Sequence, residues 1–315
     1  MMVKDEVSIV IVSMNRMDNL NICIPSIEKY TKCAHKIYVV AYMFSKENLE
    51  NLRRKYPQVI VVESNEIRGF SENNNLALRQ VTSEYVFIQN DDTEYKEPVL
   101  DKLLDSLKKT PEATIMTPKL LFGDETVQFC GIRRYNYRTF ILATFGIHKL
   151  GKSKYENGAG IFKTYNVSGA AFLVRTLDFK NIGFFDERFF FSPEDFAVST
   201  TINKKGGECF TDANTCITHY HGKSSKKTKL FYATTIATFI GNYLFYCDTK
   251  FKCTLYKNVL RLKYSAMKLM NVINHTPHRN DYLYIYNKVL QAIAYSKSPK
   301  DAFLEEYNKV VSKIG

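Results

Sequence analysis

No tryptophan occurs among the 315 residues, and glycine and proline are sparse, at 14 and 8. Tyr and Phe are plentiful, so the missing tryptophan carries no functional message. Internal repeats and low-complexity segments are absent. With 45% hydrophobic residues the chain can bury a large core, and its length suits one catalytic domain with an appendage. The seven cysteines (Cys23, Cys33, Cys130, Cys209, Cys216, Cys247, Cys253) contain no CxxC and no zinc-ligand spacing. An odd, scattered set argues for reduced cytosolic thiols. No signal peptide is expected: Lys4, Asp5 and Glu6 precede a strand-like run, and no cleavage pattern follows. The uncharged run at 230–247 has the length of a short membrane span, yet its Thr, Asn and Gly content favours a helix packed on the domain or lying at an interface.

Charge is uneven. The net charge is +12, and from Lys223 onward there are 16 Lys and Arg against 5 Asp and Glu. A basic tail meets nucleic acid, anionic lipid or an acidic substrate. No nucleic-acid recognition motif accompanies it. Contact with an anionic membrane surface is the favoured reading, since clustered Lys and Arg gain about 1 kcal/mol each there. For any single charge, a solvated helical surface is the simpler account.

Strand and helix signals alternate. Strands are read at 7–13, 36–41, 58–63, 84–90 and from 114, and helices at 16–31, 46–55, 71–80 and 97–109. This alternation predicts an α/β fold with a mainly parallel, helix-covered sheet. Residues 120–165 are irregular, as functional loops often are. A strand at 167–174, a helix at 194–205 and a strand at 208–217 follow, then the uncharged helix at 230–247 and amphipathic basic helices near 252–272, 281–296 and 300–313.

The most informative residues are Asp91-Asp92-Thr93, just after the apolar strand Tyr85–Asn90. Open α/β sheets bind ligands beyond their strands' C-terminal ends. Two adjacent carboxylates repel unless a cation or proton lies between them, and a hard divalent metal gripping a diphosphate suits them. An acidic turn capping the next helix is the alternative. Glu194-Asp195 forms a second acidic constellation behind Phe189-Phe190-Phe191, a wall able to desolvate a carboxylate and raise its pKa. A helix N-cap after Ser192-Pro193 is compatible with it. Gly69 suits a tight turn, with Asn74 and Asn75 starting the next helix and its backbone donors facing phosphate.

In order, the segments Val7–Arg16, Ile67–Asn75, Asn90–Thr93, Val167–Arg175, Gly183–Asp195 and His219–Ser224 resemble the family 2 glycosyltransferases with the GT-A (Rossmann-like) fold. The likeness is greatest to the rhamnosyltransferase-like branch of bacterial surface polysaccharide synthesis. It covers roughly residues 5–225. It implies a GT-A domain at 1–225 and a basic helical C-terminal region at 226–315.

By that resemblance, Asp92 matches the acid before Thr in N-x-D-T and is the expected ligand of Mg2+ or Mn2+. Asp91 occupies the variable position and contacts water or a ribose hydroxyl. Asp195 is the expected base of an inverting displacement, and Glu194 binds the acceptor or orients the site. His219 heads H-x-x-G-x-S and completes the metal shell or faces the diphosphate, with His221 an off-register competitor. Ser13 and Asn15 line the base and ribose pocket, and Gly169 with Ala170 leaves room for the donor sugar. One departure stands out: where the family carries an acid after its second strand, this chain has Ala41-Tyr42-Met43, so Tyr42 is expected to stack on the base. The implied activity is sugar transfer from a UDP- or dTDP-sugar to a glycan or lipid-linked acceptor of a polysaccharide, capsule or lipopolysaccharide. The location implied is cytoplasmic or peripheral on the inner membrane face, and homo-oligomerisation is compatible with it. The rival reading is a silent GT-A subunit that binds or assembles a polysaccharide complex, favoured by the missing acid.

Overall fold

The computed structural model describes residues 3–147, 155, 158–220 and 230–312. The chain opens as β1 (Val3–Met14), α1 (Met17–Tyr30), β2 (His35–Tyr42), α2 (Lys46–Lys55), β3 (Ile60–Ser64), α3 (Phe70–Leu78) and β4 (Ser83–Asn90). These four strands pair in the order β3-β2-β1-β4, all parallel. Their apolar runs are continuous because both faces are covered. Ile9, Ile11, Val39 and Phe87 enter one core cluster, and Val10, Val40, Val86 and Ile88 the other.

The middle of the chain adds β5 (Thr93–Glu94), α4 (Val99–Lys109), β6 (Ala113–Leu121), β7 (Val127–Phe129), α5 (Tyr137–Thr144), β8 (Ile161–Thr164), β9 (Ala171–Arg175), α6 (Thr176–Asn181), α7 (Glu194–Lys204) and β10 (Glu208–His219). The sheet continues β4-β9-β6-β10-β5. The parallel sheet of the first half here becomes mixed, because among the described residues of this half only the β6–β10 pairing is parallel. Strand β9 enters from the end where β4 finishes, with Ala171 opposite Gln89, and must therefore run against it. The irregular stretch at 120–165 contains β7, α5 and β8.

The C-terminal part is α8 (Phe231–Tyr246), α9 (Lys250–Ile273), α10 (Pro277–Ala294) and α11 (Pro299–Val311). Two compact units result. One comprises Met1–Arg134, Ser153–Asp186 and Glu194–Ser224; the other comprises Tyr135–Lys152, Glu187–Pro193 and Ser225–Gly315. The helical unit thus recruits two short segments from earlier in the chain. Its core gathers Ile236, Ile240, Tyr256, Leu260, Ile285 and Val289. Helix α8 passes Ser192 so closely at Gly241 that a Cβ there would lie 2.1 Å from the Ser192 carbonyl oxygen. Among the described residues no helix is long and apolar enough to cross a membrane.

Candidate active site

The acidic turn is built by strand pairing. Strand β4 ends at Asn90, and β5 begins three residues later by pairing antiparallel with the end of β10, so that His219 lies opposite Thr93. The Tyr220 N–H donates to the Asp92 carbonyl at 2.9 Å and closes the turn. The imidazole of His219 is thereby brought to the carboxylate of Asp92, with Nε2 3.1 Å from Oδ1.

The two adjacent acids face different partners. Asp91 accepts from Ser13 Oγ at 2.6 Å and from Asn19 Nδ2 at 3.0 Å. Burial pushes its carboxyl above the usual range, the two hydrogen bonds oppose that, and the Asp92 charge adds to it. Ser13 is fully buried and holds Asp91. Asn15, in the left-handed region at φ 54, accepts from the Ser45 N–H at 3.0 Å and from Asn48 Nδ2 at 2.9 Å. Its side chain joins the end of β1 to the start of α2.

At His219 the protonation pattern follows from the partners. Nδ1 lies 2.9 Å from Gln128 Oε1, a carbonyl oxygen that only accepts, so Nδ1 carries the proton. Nε2 then presents its lone pair, accepting from Asn90 Nδ2 at 3.2 Å, toward the Asp92 carboxylate. Two acceptors so close are held together by a second proton or by a cation. Asp92 and His219, 3.1 Å apart, are the residues that would hold a divalent cation here. Gln128 fixes the imidazole through Nδ1, the kind of outer support that a metal-bound histidine would use. Among the described residues no group of three or more His, Cys, Asp or Glu is poised around a cation, so the protein's share would be this pair. His221 lies outside the described residues.

Glu194 and Asp195 begin α7 on the same cleft as His219, a cavity of about 490 Å³ also lined by Phe70, Asn90, Phe122, Gln128, Phe129, Ser168, Gly169 and Ala170. Asp195 takes one backbone N–H on each oxygen, from Phe196 at 2.8 Å and Gly169 at 3.1 Å. Burial raises its carboxyl pKa, and these two donors restrain the rise. Glu194 is raised well above the ordinary range, first by burial and then by the Asp195 charge. Its Oε2 is buried with no hydrogen-bond partner among the described residues. Of the pair, Glu194 is the acid that burial and the neighbouring carboxylate press harder toward its protonated form. Phe189 and Phe190, read as a wall beside these acids, pack against Phe245 and Phe303 in the helical unit. The aromatic lining of the cleft comes from Phe70, Phe122 and Phe129.

Other expectations shift. Gly69 precedes α3 at φ −79, an ordinary extended conformation, and its N–H is taken by Glu72 Oε2 at 3.2 Å. The tight-turn role is therefore corrected. Asn74 and Asn75 lie inside α3, not at its start. Asn74 is fully buried, donating to the Phe70 carbonyl at 2.9 Å, while its Oδ1 has no partner among the described residues. Asn75 is bonded through both side-chain groups to the backbone of Phe185. A Cβ at Gly169 would meet Phe70 at 3.6 Å and the Asp195 Cβ at 3.7 Å, so glycine there widens the cleft. Tyr42 ends β2 beside Met14 and Ser64, with its hydroxyl 3.4 Å from the Arg68 N–H. Asn19, Asn90 and Gln128, which orient the acids and the imidazole, were not legible as site residues.

Known proteins share this architecture. A crystal structure of GalNAc-T7 with UDP, GalNAc and Mn2+ superposes at a TM-score of 0.54 and 16% identity, covering 73% of this chain and 47% of that one. The mannosyltransferase PcManGT of Pyrobaculum calidifontis, in complex with GDP-Man and Mn2+, superposes at 0.51 and 14%, covering 92% and 86%. The fold is that of the GT-A glycosyltransferases. The O-antigen biosynthesis protein RfbC of Myxococcus xanthus is 23% identical over 232 residues, which are 70% of this chain and 18% of that protein. The chain thus spans under a fifth of that relative's length. The model of glycosyl transferase family 2 matches residues 8–179, more than half of the sequence, and the chain belongs to that family.

Proposed function

We propose that this glycosyltransferase is a metal-dependent, inverting enzyme that moves a sugar from a UDP- or dTDP-sugar to a glycan or lipid-linked acceptor in surface polysaccharide synthesis. The observation that carries the reading is one cleft with His219 and Asp195 both in its wall, His219 being paired at 3.1 Å with the carboxylate of Asp92. Asp195 accepts the proton of the acceptor hydroxyl as its oxygen attacks the sugar carbon and the diphosphate leaves from the opposite side. Protonated Glu194 beside it keeps a second negative charge out of the site. Gln128 and Asn90 orient the imidazole, and Ser13 and Asn19 orient Asp91 toward a ribose hydroxyl or water. A divalent cation held by Asp92 and His219 would supply the positive charge that neutralises the departing diphosphate. Gly169 leaves space for the donor sugar, and Tyr42 offers a ring to the base. The name of the RfbC relative supports the polysaccharide setting, and the Mn2+ of the two structural neighbours is in keeping with a divalent ion.

A catalytically silent binding or assembly subunit is the second reading, favoured by Ala41-Tyr42 where an acid is usual. Calorimetric titration of UDP, dTDP, GDP and CMP, each with and without Mn2+, separates the two. Metal-dependent binding of one nucleotide, lost in Asp92→Ala, supports the enzyme. Equal affinity in Mn2+ and in EDTA refutes the metal assignment. No binding by folded protein favours the silent subunit.

A further inference from the structure

Helix α9 carries a surface that sugar transfer leaves unexplained. It is 24 residues long, and Tyr256 and Leu260 are its only buried residues. Phe251, Leu255, Leu262, Leu269 and Ile273 are exposed, with Leu262 at 64% and Ile273 at 80%. At 100° per residue these five fall within about 20° of one line along the helix. Large apolar side chains gathered in such a stripe are unusual on a soluble surface. Met270 and Val272, also exposed, widen the stripe toward the C-terminal end of the helix.

The charges are arranged around that stripe. The helix holds Lys250, Lys252, Lys257, Arg261, Lys263 and Lys268, and no Asp or Glu. By the same rotation, Lys250, Lys257, Arg261 and Lys268 line one side of the stripe, whereas Lys252 and Lys263 on the other are engaged by Asp248 and by the Thr144 carbonyl. An apolar stripe bordered by a row of four cations is the pattern of a helix lying in the plane of an anionic bilayer, with apolar side chains entering the acyl boundary and the cations at headgroup level. A second copy of the chain is a poorer occupant, because two α9 stripes face to face would set basic margins against each other with no acid to compensate. Nucleic acid would satisfy the charge and leave the apolar stripe in water.

We infer that the exposed face of α9 is a membrane-docking surface that takes up anionic lipid, holding the enzyme at a bilayer. The inference does not depend on which donor or acceptor the cleft uses. A test is flotation of the full chain with vesicles of phosphatidylcholine alone or with phosphatidylglycerol added, at low and high salt. Wild type is expected to float with the anionic vesicles, and to lose at least tenfold in apparent affinity in Leu262→Gln/Leu269→Gln. A separate loss is expected in Lys257→Gln/Arg261→Gln/Lys268→Gln and in high salt. Circular dichroism melts keep the test valid, since the leucines are exposed and the fold should survive. Failure to float, or flotation unchanged in the leucine variant, overturns the proposal. So does a dimer in analytical ultracentrifugation that the leucine variant dissociates, or retention on DNA without retention on vesicles.

Discussion

Replacing Asp195 by asparagine is the sharpest perturbation of the proposed mechanism. Its carboxylate accepts from Phe196 N–H on one oxygen and from Gly169 N–H on the other. Asparagine keeps the shape but sets an NH2 against one of those donors, and an unsatisfied buried donor costs about 1–3 kcal/mol. The substitution also removes a buried charge, one that raises the pKa of Glu194 as well. The two effects oppose each other, so the loss of stability should stay under about 2 kcal/mol. The effect on rate is larger, because losing a positioned base costs about 10²–10⁴-fold, equivalent to about 3–5 kcal/mol of barrier. Steady-state transfer assays should show kcat reduced at least about 100-fold. Nucleotide titration should give a Kd within about threefold of wild type, because the change touches a transition-state interaction. The wild-type kcat/KM should fall on the acid side, with a midpoint above the ordinary Asp range, since only the charged carboxylate accepts a proton. Turnover by the folded variant within about threefold of wild type would refute Asp195 as the base.

Glu194 makes stability depend on pH. Its folded-state pKa is raised, so its contribution is fully present below the unfolded value of about 4.3 and is lost as pH rises through the folded value. Glu194→Gln cannot ionise and should flatten that decline in urea melts taken from acid to neutral pH; an unchanged slope would contradict the burial argument. Gly169→Ala adds a methyl in ordinary contact with Phe70 at 3.6 Å, so melts should shift by less than about 1 kcal/mol while the donor KM rises. An unchanged KM would remove Gly169 from the donor site. Gly241→Ala places its Cβ 2.1 Å from the Ser192 carbonyl, and the overlap should cost roughly 1–3 kcal/mol despite the better helix propensity of alanine. A gain in stability in a urea melt would overturn that reading of the packing.

The parts of this fold that were legible share one physical cause. Strands β1, β2 and β4 are buried on both faces, so they read as unbroken apolar runs, and their helices show the matching periodicity. The antiparallel half was not legible, because direction depends on which end of the sheet the chain re-enters, and no local pattern records that. Strand β5 is two residues long and β7 three, too short for any alternation to be detected. Yet β5 sets the partner of His219, and β7 supplies Gln128. The Asn73–Asn75 run misled for a different reason. Three consecutive amides suggest a helix cap, but Asn73 and Asn75 are buried in α3 and bonded to nearby backbone carbonyls.

Adjacency misled in one further way, and it bears on the chemistry. Asp91 and Asp92 read as two acids competing for one cation. At a turn, successive side chains diverge, and here Asp91 goes to Ser13 and Asn19 while Asp92 goes to His219. The electrostatic conflict is thereby divided. Two hydroxyl and amide donors solvate one carboxylate in place of water, and only the other remains to be neutralised from the cleft. A site that asks for one positive charge between Asp92 and an imidazole lone pair has a simple signature. Removing the imidazole leaves Asp92 alone, so metal-dependent nucleotide affinity should weaken in His219→Asn. Affinity for nucleotide and Mn2+ that is unchanged in the folded variant would mean that His219 is not a ligand.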